Sequence, residues 1–91
     1  MTDQEFKSRM AQAKTMCGLS DRPGYYEGYM SGLRRFYHGP HFGTLREHEE
    51  WLGLFYERDE TSAHRGRGYH DGLQGMRPLV WTNRRTTQGR F

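Results

Sequence analysis

Residues 33–41, LRRFYHGPH, combine arginines with aromatic rings and form the first segment whose residue types suggest a chemical task. The guanidinium groups of Arg34 and Arg35 can bind phosphates through paired hydrogen bonds. The rings of Tyr37, His38 and His41 can stack on unpaired bases. These residues therefore predict an RNA contact. The alternative is that the rings belong to the core and that the arginines are solvated near the negative end of a helix dipole.

Two further segments are rich in arginine. The sequence HRGRG at residues 64–68 places Arg65 and Arg67 next to glycines, where the backbone can approach a phosphate. It resembles arginine–glycine segments that follow RNA backbones, or it is a flexible linker with incidental charge. The sequence NRRTTQGR at residues 83–90 is either a basic arm that orders on binding or a solubilising tail. Its arginines are Arg84, Arg85 and Arg90.

An acidic run, REHEEW, occupies residues 46–51. Its carboxylates are Glu47, Glu49 and Glu50. Most of this run is typical of a solvated helix face, on which Arg46 and Glu50 can pair at a spacing of four residues. If the partner is a protein and not RNA, we expect the contact at these three glutamates.

Metal and catalytic signals are weak in this sequence. His38 and His41 form an H-x-x-H pair, but Cys17 is the single cysteine and the other histidines are scattered, whereas structural zinc needs four closely spaced ligands. No Ser-His-Asp or Cys-His arrangement, phosphate-binding loop or dinucleotide fingerprint occurs. We therefore expect a protein that is not an enzyme and that holds no metal or cofactor.

Composition and charge limit the function classes further. The 91 residues are enough for one domain, and with 33% hydrophobic and 14% aromatic residues the core must depend on a few large rings. Residues 1–60 carry a net charge of −2 and residues 61–91 carry +5. Arginine accounts for 12 of the 14 basic residues, which suits phosphate binding and equally suits a GC-rich genome.

The cysteine count and the hydropathy pattern bear on location. A single cysteine, Cys17, cannot form an internal disulfide, which favours a reducing compartment. The N-terminal sequence MTDQEF has no apolar run after it, and no segment approaches the length of a membrane span. We expect a cytoplasmic protein without a membrane contact.

The spacing of apolar residues and the capping signals predict an all-α fold, a small bundle of about four short helices in a single domain. Thr2 with Glu5 and Thr44 with Glu47 both fit the capping box that starts a helix. The predicted elements are a first helix at 3–17, a helix–linker–helix core at 23–58 with helices at 23–37 and 45–58, a fourth helix at 62–76, and a basic tail at 77–91 that can be extended.

A repeated motif lies within the predicted second and fourth helices. GYMSGL at residues 28–33 returns as GYHDGL at residues 68–73. Each glycine inside a helix costs about 1 kcal/mol relative to alanine, so its presence needs a reason. Gly28 and Gly32 share one helix face, where another helix can approach closely. The repeat suggests an internal duplication, and we expect the second helix to pack on the third. The predicted core is Tyr29, Leu33, Phe36, Trp51, Leu52 and Phe55.

Residues 28–57, GYMSGLRRFYHGPHFGTLREHEEWLGLFYE, resemble the ribosome modulation factor family. Members are small two-helix proteins with a Gly-Tyr-x-x-Gly helix, a linker with proline, and then Trp-Leu-Gly and a further aromatic residue. The matching positions here are Gly28, Tyr29, Gly32, Leu33, Pro40, Trp51, Leu52 and Gly53. The resemblance implies binding to the small ribosomal subunit and promotion of a translationally silent state.

The sequence departs from that family in three respects. The segment before the glycine motif has mixed charge where the family tends to be strongly basic, and the linker lacks a Cys-Pro pair. A first helix and a second glycine motif are also added around the matching core. A second interpretation therefore stays open. The protein would then be a protein-binding inhibitor, of the kind that mobile elements carry, which blocks a host nuclease or ribonucleoprotein complex.

Overall fold

The computed structural model describes residues 1–80, which form four helices and contain no strand within that range. The helices are α1 (Asp3–Leu19), α2 (Pro23–His38), α3 (Leu45–Leu54) and α4 (Glu60–Leu73). The prediction of an all-α fold is confirmed. None of these four helices is both long and apolar enough to cross a membrane.

Two capping boxes begin α1 and α3, as the sequence predicts. The backbone N–H of Glu5 donates to the Thr2 hydroxyl at 3.1 Å, and the Thr2 N–H donates to the Glu5 carboxylate at 2.9 Å. Thr44 and Glu47 repeat the pair, with both distances at 3.1 Å. Each box satisfies two N–H groups that a helix start would leave without a partner.

The boundaries of α3 and α4 differ from those predicted. Helix α3 ends at Leu54, before the predicted residue 58, because the chain tightens into turns with three-residue spacing in which Phe55 N–H reaches Leu52 and Glu57 N–H reaches Leu54. Helix α4 begins at Glu60 because the carboxylate of Asp59 caps it, accepting from the Ser62 N–H at 2.9 Å. The capping preference of aspartate is the signal that the apolar spacing alone did not reveal.

The two glycine motifs face each other. Helices α2 and α4 run parallel and approach through four glycines, each of which lies against a backbone carbonyl of the other helix. A Cβ atom at Gly28 would overlap the Arg65 carbonyl, and one at Gly68 would overlap the Tyr25 carbonyl. We call this contact the glycine seam; its members are Gly28, Gly32, Gly68 and Gly72. The close approach explains why helix interiors retain these glycines.

The contacts on the two sides of the glycine seam match when residue numbers are shifted by 40. Gly28 meets the backbone of residues 65 and 69, and Gly68 meets that of residues 25 and 29, so a shift of 40 residues converts one half into the other. Gly32 and Gly72 obey the same shift. Helix α1 then covers α2, and α3 covers α4. The architecture is two helix hairpins related by an approximate two-fold axis.

The core consists of large rings on α2, with one alanine from α1. The fully buried residues are Ala13, Tyr25, Tyr26, Tyr29 and Leu33, and Tyr69 is nearly so. The expected packing of α2 on α3 is wrong, because the glycines of α2 meet α4 and the Trp51 helix packs on α4 instead.

Consequently, two of the six predicted core residues are buried. Tyr29 and Leu33 are buried, whereas Phe36 and Phe55 are each 42% exposed. Trp51 and Leu52 are half-buried between α3 and α4.

The segment after α4 returns along α2 and is held by tyrosine hydroxyls. The hydroxyls of Tyr29 and Tyr26 donate to the carbonyls of Met76 and Leu79, each at 2.5 Å, and the Leu79 N–H donates to the Tyr25 hydroxyl at 3.1 Å. Burial raises the pKa of Tyr29 to about 12, so this hydroxyl stays a donor at neutral pH. The chain from residue 76 to 79 is therefore attached to α2.

Candidate nucleic-acid interface

Four aromatic rings meet at the C-terminal end of α2. The ring of Phe6 stacks on Tyr37 with centroids 4.2 Å apart, and His38 stacks on Phe42 at 5.0 Å. His38 also contacts Phe6 and Tyr37 edge-on, at 5.5 and 5.0 Å. We call these four residues the ring cluster. The sequence prediction included Tyr37 and His38 but missed Phe6 and Phe42, which come from α1 and the linker.

The α1 side of the ring cluster is fixed by a hydrogen bond and an ion pair. The Tyr37 hydroxyl donates to the Asp3 carboxylate at 2.9 Å, and Asp3 pairs with Lys7 at 3.1 Å. The bonds from Lys7 and Tyr37 lower the pKa of Asp3, while the bond to Asp3 raises the pKa of Tyr37. These contacts hold the Tyr37 ring parallel to Phe6.

The linker side of the ring cluster is fixed by Arg35. Its guanidinium donates to the carbonyls of Pro40 at 2.6 Å, Phe42 at 2.9 Å and Thr44 at 3.5 Å. This places the Phe42 ring against His38. The sequence prediction gave Arg35 to phosphate, and the structure gives it a positioning task that the prediction did not include. A contact between Arg35 and RNA stays a prediction.

Arg34 lies beside the ring cluster on the same helix face. It precedes Tyr37 by three residues and His38 by four, so the three side chains leave α2 on one side. Within residues 1–80, Arg34 has no ion-pair partner. His38 is exposed and Phe42 is 41% exposed. An unpaired guanidinium and accessible rings thus share one surface.

The arginine–glycine interpretation of residues 64–68 is wrong in its conformation. The segment is helical within α4, and its glycine backbones are covered by other helices, Gly66 by Phe55 and Gly68 by Tyr25. A phosphate therefore cannot approach the backbone there. Arg65 pairs with Glu27 at 3.1 Å, and Arg67 is exposed on α4. Contact of their side chains with RNA stays a prediction.

A second set of interacting side chains lies between α3 and α4, next to the linker. His48 Nδ1 is 2.7 Å from the Tyr69 hydroxyl, and the Trp51 ring stacks on Tyr69 with centroids 5.5 Å apart. Burial, followed by the nearby charge of Arg35, lowers the pKa of His48. Sequence reasoning did not pair His48 with Tyr69, because Tyr69 comes from the second glycine motif.

The three predicted acidic residues have different surroundings. Glu47 is used in the capping box of α3, where it accepts from Thr44. Glu50 is exposed and lies 3.6 Å from Arg46, and Glu49 is exposed as well. All three glutamates are exposed on α3, and Glu47 is the one engaged in a helix cap.

Other predicted sites can be placed more briefly. The tail arginines lie outside the described residues; they are Arg84, Arg85 and Arg90. Within residues 1–80, no group of three or more histidine, cysteine or carboxylate side chains is arranged to hold a metal ion.

No family model, curated protein or solved structure matches this chain.

Proposed function

We propose that the protein is a non-enzymatic RNA-binding modulator that works by occupying its target. The resemblance to the ribosome modulation factor family makes the small ribosomal subunit the first target to test. The observation that supports the proposal most directly is the exposed ring cluster next to the unpaired guanidinium of Arg34.

The chemistry of this surface favours single-stranded RNA over duplex. Flat rings at a helix end can receive bases that are splayed out of a loop, whereas the deep groove of an A-form duplex hides its base edges from side chains. Stacking contributes about 1–3 kcal/mol per base, with little dependence on sequence. Arg34 adds a phosphate contact, so affinity is expected to fall as salt rises.

Direct binding to RNA tests the proposal. Fluorescence anisotropy with a labelled unstructured RNA and with a perfect hairpin of the same composition separates the two modes. We expect the unstructured RNA to bind more tightly. Equal affinity for both RNAs, with no effect of changing the rings, would contradict the proposal.

Matched variants locate the contact. Phe42→Ala is expected to weaken binding by about tenfold, because it removes one stacking ring. Leu45→Ala, also at an exposed apolar residue, is its control. Arg34→Glu should lower both the affinity and the slope of its salt dependence, while Arg46→Glu on α3 should lower both less.

Sedimentation in a sucrose gradient tests the ribosomal target. The wild-type chain should migrate with small subunits, and Arg34→Glu should remain at the top of the gradient. If RNA oligomers bind at the ring cluster but the chain never migrates with ribosomal particles, the proposal of RNA binding stands and the proposal of a ribosomal target is contradicted.

A further inference from the structure

A second surface of the molecule has the opposite charge. Residues 45–60 contain six acidic and two basic side chains, a net charge of −4. The other described residues, 1–44 and 61–80, contain nine basic and five acidic side chains. Helix α3 and the turn after it therefore form an acidic lobe on an otherwise basic molecule.

This acidic lobe also carries exposed apolar side chains. Leu45 is 64% exposed and Tyr56 is 84% exposed. A groove between α3 and α4 lies beside them, lined by Leu52, Phe55, Tyr56, Gly66 and His70. We call it the α3 groove.

The early end of α3 shapes the α3 groove. Gly66 lets the backbone at Phe55 approach α4 closely, and the turn that follows directs the Phe55 ring toward His70, with centroids 5.5 Å apart. The rings of Tyr56 and Phe55 are in contact, with centroids 5.3 Å apart. The groove is thus bounded on two sides by backbone and rings, a shape that can receive a single large apolar side chain.

Glu49 gives the α3 groove its charged border. It lies on the same face of α3 as Leu45 and Leu52, at spacings of four and three residues, and is exposed. No cation pairs with it within residues 1–80, whereas Glu50 has Arg46. An apolar strip with free negative charge beside it is complementary to a basic amphipathic segment.

We propose that the α3 groove docks a basic amphipathic helix of a partner protein, a binding site separate from the ring cluster. One large apolar side chain of that helix enters between Leu52 and Tyr56, and its lysine or arginine side chains meet Glu49. A helix in an apolar groove is a recurring mode of recognition. RNA is disfavoured here, because the net charge of −4 repels phosphates.

The test uses a synthetic helical peptide of leucine and lysine, arranged with one apolar face. Its control has the same composition in an order that gives no apolar face. Calorimetry with the full chain gives the affinity, and amide chemical shifts give the location. The expected result is binding at least about tenfold tighter for the amphipathic peptide, with shifts at residues 49, 52, 56 and 70.

Two variants with matched controls separate the groove from general charge attraction. Tyr56→Ala and Glu49→Lys should each weaken binding of the amphipathic peptide by about tenfold. Leu19→Ala and Asp21→Lys change an exposed leucine and an exposed aspartate elsewhere, and should leave the affinity unchanged.

Four outcomes would overturn the proposal. Equal binding of both peptides would mean diffuse attraction between charges. Shifts confined to residues outside the groove would place the site elsewhere. A concentration-dependent dimer that Tyr56→Ala abolishes, seen by analytical ultracentrifugation, would assign the groove to a second copy of this chain. Displacement of the peptide by RNA would likewise count against a separate protein site.

Discussion

At the scale of single residues, a backbone contact restricts position 28 to glycine, whereas no such contact restricts Gly18. A methyl group at Gly28 would overlap the Arg65 carbonyl, which cannot rotate away, whereas nothing lies within 4 Å of the corresponding position at Gly18. Both glycines are helical, and because Gly18 lies in the last turn of α1, alanine improves the helix propensity there no more than at Gly28. A loss of stability on substitution at Gly28 but not at Gly18 therefore comes from the glycine seam.

Gly28→Ala is expected to lower the free energy of unfolding by about 2 kcal/mol, since overpacking outweighs the gain in propensity. Gly18→Ala should raise it, by up to about 1 kcal/mol. Urea denaturation followed by circular dichroism measures both. If the two variants have equal stability, α2 and α4 do not touch through these glycines.

The imidazole of His48 makes stability depend on pH. Its pKa is lower in the folded state than the ordinary value of 6.5, so the unfolded chain binds more protons below that value. The free energy of unfolding should therefore be highest above pH 6.5 and should fall as pH drops through 6.5 toward the folded pKa. His48→Gln should flatten this part of the profile, while His41→Gln, at an exposed histidine, should not. Denaturation at a series of pH values provides the comparison.

At the scale of elements, the linker between α2 and α3 is organised by one side chain. Arg35 reaches three carbonyls of the linker, a task that needs the planar fork of a guanidinium and not merely a positive charge. The linker itself contains two glycines with positive φ, Gly39 and Gly43, which allow the turns but do not fix them.

Arg35→Lys is accordingly expected to loosen the linker although it preserves charge. Amide hydrogen exchange at residues 42–44 should become faster, and RNA binding should weaken because Phe42 leaves His38. Arg34→Lys is the control and should leave exchange in the linker unchanged. If Arg35→Lys keeps both properties, Arg35 acts through its charge and not by positioning the linker.

The elements also show what sequence can and cannot predict. The helix starts at Thr2 and Thr44 follow from local hydrogen bonds, and so were predictable. The helix that packs against Gly28 was not predictable, because both the Trp51 helix and the second glycine motif could have packed there. The ring cluster was half predictable, since Tyr37 and His38 are neighbours in sequence, whereas Phe6 and Phe42 arrive only through the path of the chain.

At the scale of the whole molecule, stability is unevenly distributed. The core lies under α2 and includes Tyr69 of α4, whereas α3 has no buried residue and rests on α4 through half-buried side chains such as Trp51. Regions with few buried contacts open more readily than the core.

Native-state hydrogen exchange should therefore show two levels of protection. Amides of residues 26–33 and 66–73 are expected to open together, with a free energy near that of global unfolding, because each helix covers the other's backbone. Amides of residues 48–54 should exchange faster. Trp51→Ala should speed exchange in α3 with a smaller effect on α2, and equal acceleration of exchange in all four helices would contradict this division.

The shift of 40 residues across the glycine seam has a consequence for the origin of the fold. A chain made of one helix hairpin would present to an identical hairpin the same face that α2 presents to α4, with glycines opposite carbonyls on both sides. The present protein has the geometry of such a homodimer whose two subunits have been joined by the linker at residues 39–44. The two halves of this geometry differ in charge: one carries the ring cluster and the other the acidic lobe.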